Sequence, residues 1–486
     1  MSRQPSLKDA RTPPPGWTVA ERESFFTAIT RHRAAAWRVT AMSTAATAGV
    51  AVVVALLLSP LFYAALALAC DLANLVVPTT NLVEVLGKHI GPIFDAPDRV
   101  PTRQWLAVVF SAALPGLCFM AAMFWFLRRA VTLSGLLDGA TFDTVSVNAM
   151  QLKEQRFGNV VAEMAIAAGV PEPKILIAEW NAGNAAVFGT DDRRAVVVVA
   201  RRALAMLDRA QAQAVAAHLV GSIANGDLSI GVRVATSAGL FSMIARLGTA
   251  FTQRASLARL LRAFMGAAFR PGPATARVFV DEISDPFREE PADPPAAEPQ
   301  RPDWRTFAWM PFAGPIFATG FFGGIIAVFA LEPLVSLAWR RRKYLADATA
   351  VRLTREPNAL SEALTQLGSA ADHTPLGAWG AHLCVVRPTV RHAGLFGGSM
   401  VPAFPSLERR LRALAALGAS NAPAPAPSSL PLGKLAIIAP LMLIVAGLMS
   451  LVLVLLVWLS AALSAMFLGL PFGVLHLLLR ALGHGP

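Results

Sequence analysis

The chemistry open to this chain turns on one short run, His218-Leu219-Val220-Gly221-Ser222, inside an Ala-rich apolar stretch. Residues four apart lie on one face of a helix. A His at each such position reaches one metal ion, and a Glu directly after the first activates the bound water. Here His218 stands at the first position, Leu219 replaces the general base and Ser222 replaces the second ligand. A third ligand would come from another helix, with a fourth position open for water. Taken alone, a single His on an apolar helix face is a packed core histidine before it is a ligand.

The helix that carries the run has clear ends. Asp208 reads as an N-cap, with Gln211 completing a capping box, and Asn225-Gly226 reads as the exit, so the sequence predicts a helix over about 209–224. Apolar residues at 212, 215, 216, 219, 220 and 223 form one stripe at helical period. Ahead of it, a mixed helix is expected over about 146–168, ending at Gly169. Three extended pieces follow at 175–178, 184–189 and 195–200, with a turn at Asp191-Asp192. Further on, 340–367 reads as a helix, 371–406 as loop-rich, and Leu407–Leu417 as a short amphipathic helix.

Four stretches in chain order resemble the M48 metallopeptidases, a membrane-bound group that includes the heat-shock protease HtpX and the CAAX prenyl endopeptidases. NAAVFG at 184–189 is similar to the family's Asn-Ala-x-x-x-Gly strand. AHLVGSIANGD at 217–227 is similar to its Ala-His-Glu-x-x-His-x-x-Asn-Gly-Asp segment. RRKYLADATAVRLT at 341–354 is similar to its Arg-Glu-Tyr-x-Ala-Asp segment, and FPSLERRLRAL at 404–414 to its closing His-Pro-x-Leu-x-x-Arg stretch. The resemblance covers roughly residues 150–415. It implies a gluzincin-like peptidase domain, mostly helical with a small β-sheet, and an edge strand at Asn184, Ala185 and Gly189 that takes a peptide. It also implies a zinc site at His218, Ser222 and Lys343, with Asp347 steadying a ligand histidine.

The departures fall on that site. Lys343 stands where the resemblance implies a ligand Glu, and Phe404 where it implies a His. One neutral imidazole does not hold zinc against water, Leu219 takes no proton, and an ammonium repels a cation. An ion pair between Lys343 and Asp347, one helical turn apart, is expected where the metal would sit; the alternative is that Lys343 snorkels to a membrane surface. The other histidines, at 32, 89, 373, 382, 392, 476 and 484, have no ligand spacing and read as surface, loop, tail or span residues.

The elements around this domain are membrane elements. Hydrophobic residues make up 55% of the 486 and charged residues 15%, too apolar a balance for an ordinary soluble chain. Uncharged runs at 39–70, 104–127, 306–331 and 435–479 each reach the roughly 20 residues of a span. The last is long enough to cross twice, with a break at Gly469–Gly473. The net charge of +12 clusters at span ends, at Arg31, Arg33, Arg38, Arg128, Arg129, Arg340–Lys343, Lys434 and Arg480. That is a positive-inside pattern rather than a nucleic-acid footprint. Three cysteines give no disulfide framework.

The expected organisation is an α+β, polytopic helical membrane protein. A cytoplasmic tail (1–38) leads into two spans with a short external loop (39–128). The M48-like domain (130–418) carries an inserted membrane hairpin at about 231–337 and a disordered loop at 271–304. A Pro/Ala linker (419–433) leads to a C-terminal hairpin (434–480). The expected location is a bacterial inner membrane, with the N-terminus and peptidase-like domain cytoplasmic. The functional reading is a catalytically inactive homologue that needs no cofactor and keeps its cleft to bind a peptide or membrane-protein partner. Two alternatives are an active zinc endopeptidase with unconventional ligands and a transporter. The long runs lack the paired intramembrane charges of a transporter.

Overall fold

The computed structural model describes residues 23–135 (except 75, 83, 86 and 89–99), 144–284 (except 149 and 251–253), 332–370, 381–387 and 404–420. The tail before residue 23, the runs at 306–331 and 435–479, most of the 419–433 linker, and His89, His373, His392, His476 and His484 lie outside these residues.

Two long helices lead the chain, α1 (Phe25–Ala73) and α2 (Thr102–Leu133). Both are long and apolar enough to cross a membrane, and they contain the first two uncharged runs. They meet closely at one point. Pro115 lies inside α2, and the next N–H, that of Gly116, donates to Ser59 Oγ of α1 at 3.0 Å. A Cβ added at Gly116 would stand 2.0 Å from the Ala55 carbonyl oxygen, so only glycine permits the contact.

The domain follows as β1 (Thr144–Ser146), α3 (Leu152–Ala168), β2 (Lys174–Ala178), β3 (Ala185–Phe188), β4 (Val196–Ala200), α4 (Arg201–Met206) and α5 (Arg209–Ala224). The sheet order is β1-β2-β4-β3, with β2 and β4 parallel and the other pairs antiparallel. Every residue of β4 is buried, which is why AVVVVA is apolar at successive positions instead of alternating. Asp191 turns the chain between β3 and β4 by accepting the N–H groups of Arg193 and Arg194 at 3.0 Å each. Gly189 ends β3 at φ 135, where an added Cβ would meet the Arg194 carbonyl oxygen at 2.4 Å. Helix α5 has the predicted bounds, and both halves of its Asp208–Gln211 capping box are formed.

The later helices are α6 (Asp227–Ala250), α7 (Arg254–Phe269), α8 (Pro273–Ser284), α9 (Glu332–Thr354), α10 (Pro357–Ser369) and α11 (Leu407–Ala416). Helices α5 and α6, bent by 65°, would together count as a third candidate span; α5, however, packs inside the domain against α3, α9, α10 and β3. Two expectations need correcting. The loop expected at 271–304 is helical over its first part. In α8, Phe279, Val280 and Ile283 are buried, and the Phe279 ring packs edge-on to Phe126 of α2. Arg246 of α6 donates to Glu282 at 2.6 Å. The Pro and acid content of 285–304, outside the described residues, masked this amphipathic pattern. The helix expected at 340–367 is two helices, because Arg355 turns to φ 62 before Pro357.

The α1–α2 contact is open to test. Gly116→Leu should destabilise the detergent-purified protein by about 1–3 kcal/mol or more through overpacking against backbone, lowering its melting temperature. Gly49→Leu, with nothing within 4 Å of its added Cβ, should melt like wild type. Equal melting of the two variants would mean the helices do not meet at Gly116.

Candidate functional site

The site lies where α5, α9 and α11 meet beside the outer edge of β3. His218, Ser222, Lys343 and Asp347 are all buried, at 0, 3, 4 and 2% exposure. Leu219 faces the core and extends the apolar stripe of α5.

Asp347 organises the cluster. Arg410 of α11 grips its carboxylate with two hydrogen bonds, Nε to Oδ2 at 2.8 Å and Nη2 to Oδ1 at 2.7 Å. His218 Nδ1 stands 2.9 Å from the same Oδ1, and Nε2 has no partner among the described residues. Burial alone would raise the Asp347 carboxyl; Arg410, followed by His218, holds it well below the usual carboxylate range. Burial pushes the His218 imidazole down to about 4, and Arg410 and Lys343 add to this against the pull of Asp347. The imidazole is therefore neutral at pH 7.

The expected Lys343–Asp347 pair is not formed. Arg410 fills the carboxylate, and Lys343 Nζ donates to the Cys384 carbonyl oxygen at 2.5 Å, over the Phe404 ring at 5.3 Å. Snorkelling is excluded as well, since Lys343 is buried. Burial, then the Arg410 charge, pushes the ammonium down to about 8, which leaves it mostly protonated at pH 7. Burial pushes the Cys384 thiol up to about 12, too high for a reactive thiolate.

The edge strand is already engaged. Segment 384–386 runs antiparallel to β3, with Ala186 opposite Cys384 and the Val385 N–H donating to the Ala185 carbonyl at 2.8 Å. The Asn184 side chain copies a strand, donating to the Val386 carbonyl at 3.1 Å and accepting its N–H at 3.3 Å. Arg410 Nη1 donates to the Val385 carbonyl at 2.5 Å, which ties this added strand to Asp347. Gly189 lies past the paired residues, at the end of β3.

A second clamp holds the turn after α5. Arg342 pairs with Asp227 and donates to the Asn225 carbonyl at 2.6 Å, while Asn225 Nδ2 donates to Thr349 Oγ1 at 3.1 Å. His382, expected at a surface or loop, packs tilted against Trp339 with ring centroids 4.1 Å apart and its Nε2 shut off from solvent.

Three residues carry more than the sequence reading gave them. Arg410 could have been found as the Arg of the closing His-Pro-x-Leu-x-x-Arg stretch. Arg342 is the Arg of the Arg-Glu-Tyr-x-Ala-Asp segment, and Asp227 closes the Asn-Gly-Asp segment. The strand role of 384–386 had only the weak signal of Cys384-Val385-Val386 within a loop-rich region.

The residues present do not fit a zinc ion. Orphaned His218 Nε2 is a suitable donor, but its companions are the Ser222 hydroxyl and the Lys343 ammonium. Among the described residues, no group of three or more His, Cys, Asp or Glu side chains is placed to share a metal.

The sequence model for Peptidase family M48 matches residues 151–293, from the start of α3 past α8. A Protease HtpX homolog of Thermoanaerobacter pseudethanolicus is 29% identical over 266 residues, covering 53% of this chain and 71% of the relative. One of Dictyoglomus turgidum is 28% identical over 266 residues, covering 54% and 68%. One of Caldanaerobacter subterraneus subsp. tengcongensis is 25% identical over 276 residues, covering 56% and 76%. No solved structure matches.

The Asp347 clamp makes a sharp energetic prediction. Arg410→Met leaves a buried carboxylate unpaired and should cost about 3–5 kcal/mol. Arg410→Met/Asp347→Leu should recover most of that loss, because an apolar pair of similar volume needs no compensation. Chemical denaturation in detergent reads both; a double variant no more stable than the single one would contradict the clamp.

Proposed function

We propose that this chain, whose residues 151–293 match the model for Peptidase family M48 and which is similar to HtpX homologues, is a membrane-integrated, non-hydrolysing homologue of that family. In this reading it holds an extended peptide or membrane-protein segment without cutting it. The observation that carries the reading is the Lys343 ammonium, buried where the family resemblance implies a ligand carboxylate and bonded to a backbone carbonyl. With Leu219 packed in the core, neither a metal nor a general base has a seat beside His218.

Binding has firmer support than cleavage. Ala185 engages segment 384–386 through a backbone hydrogen bond, and Asn184 through side-chain amide bonds that copy a strand, the mode by which a sheet edge takes an extended chain. A partner segment taking this edge displaces 384–386. The bilayer is the setting, since α1 and α2 are candidate spans and the relatives are named proteases of the HtpX type. The arginines at the span ends support a cytoplasmic domain in a bacterial inner membrane.

The test is the metal content of the detergent-purified protein beside a Leu219→Glu/Ser222→His/Lys343→Glu variant. Wild type should carry no stoichiometric zinc and cleave no unfolded protein substrate, and the triple variant should bind about one zinc per chain. One zinc per wild-type chain, lost on His218→Ala, would return the chain to the active peptidases.

A further inference from the structure

A cavity of about 420 Å³ opens beside the buried cluster, lined by Arg340, Arg387, Phe404, Pro405, Leu407 and Arg409, with the N-cap Ser406 at its rim. This volume falls within the roughly 300–1,000 Å³ of small-molecule sites. The three arginines come from three separate parts of the chain: α9, the residue following the strand added to β3, and α11. No acidic side chain lines the cavity. Glu408, the acid nearest in sequence, is engaged by Arg412 at 2.7 Å, and among the described residues neither Arg387 nor Arg409 has a carboxylate partner. Burial, then the Arg409 and Arg387 charges, holds the Arg340 guanidinium below its ordinary range. Arg387 and Arg409, gathered at one space without a carboxylate partner among the described residues, repel each other unless an anion joins them.

The position in the fold suggests the anion. Helix α1 runs antiparallel to α9: Phe25 lies under the Arg355 guanidinium, Ala28 and Ile29 pack with Leu345 and Ala348, and the His32 ring stacks on Tyr344 at 5.6 Å. Continuing that register brings Arg340, one turn before Tyr344, to about the level of Ala36–Arg38. There the exposed Trp37 precedes the uncharged run 39–70. This is the level of a polar–apolar boundary, where interfacial Trp and Arg residues sit. Phe404, Pro405 and Leu407 give the cavity one apolar wall, which suits an amphiphile, and guanidinium forks match phosphate oxygens bidentately.

We propose that the cavity between Arg340, Arg387 and Arg409 binds a phosphate group, carried by an anionic phospholipid headgroup or by a soluble phosphate ester of the same chemistry. The site does not depend on whether the chain hydrolyses peptides, and it lies outside the zinc-like cluster.

The test uses the full-length protein in a non-ionic detergent. Native mass spectrometry counts retained phosphatidylglycerol against phosphatidylcholine, and a thermal-shift titration uses glycerol 3-phosphate. Arg387→Gln/Arg409→Gln alters two exposed cavity residues, and Arg193→Gln/Arg194→Gln is the charge-matched control at the distant β3–β4 turn. Wild type and control should prefer phosphatidylglycerol, and the cavity variant should lose about tenfold in affinity, the effect of roughly 1.4 kcal/mol. Loss confined to the lipid identifies a headgroup, and loss of glycerol 3-phosphate binding as well identifies a soluble ester. Retention by the cavity variant in both arms, or equal loss in the control, overturns the proposal.

Discussion

One buried carboxylate holds the domain's functional region together. Asp347 projects from α9 into a buried pocket where it receives two donors of the Arg410 guanidinium and stands against His218. An ionised group in such a place is tolerated only when its lone pairs are satisfied, so α11 must dock where it does. Arg410 then has a further donor for the Val385 carbonyl, and through it the strand added to β3 is joined to the same carboxylate. Three chain regions far apart in sequence thus depend on one side chain.

The residues that match the M48 pattern and those that depart from it divide by what they do. Asn184, Asn225, Asp227, Arg342, Asp347 and Arg410 match, and each forms hydrogen bonds that fasten one element to another. Leu219, Ser222 and Lys343 depart at positions where the family resemblance implies metal ligation or proton transfer, and Phe404 departs where it implies a His. A frame of this kind stays folded with a wide choice of residues at its centre, provided that their charge and volume are accommodated. Lys343 is accommodated by one carbonyl oxygen and the face of the Phe404 ring.

Much of this was legible in the sequence because it is local. The capping box of α5, the apolar run of β4, the Asp191 turn and the Asn225-Gly226 exit each need only neighbouring residues, and each falls where periodicity and turn chemistry put it. What the sequence hid is long-range. Asp347 has an eligible cation four residues away in Lys343, and helical spacing favours that pair; the partner that wins lies 63 residues on and brings a bidentate fork. The strand at 384–386 is too short to announce itself by alternation. Helix α8 was hidden by the Pro and acid content of the residues that follow it.

In the proposed reading, protein charges hold the His218 cluster instead of a metal. Anomalous diffraction at the zinc edge, from crystals of the wild-type protein grown with added zinc, tests it site by site. No peak should lie within coordination distance of His218 Nε2, and density for the Lys343 side chain should reach the Cys384 carbonyl. A zinc peak bonded to His218 Nε2, with Lys343 swung away, would contradict it.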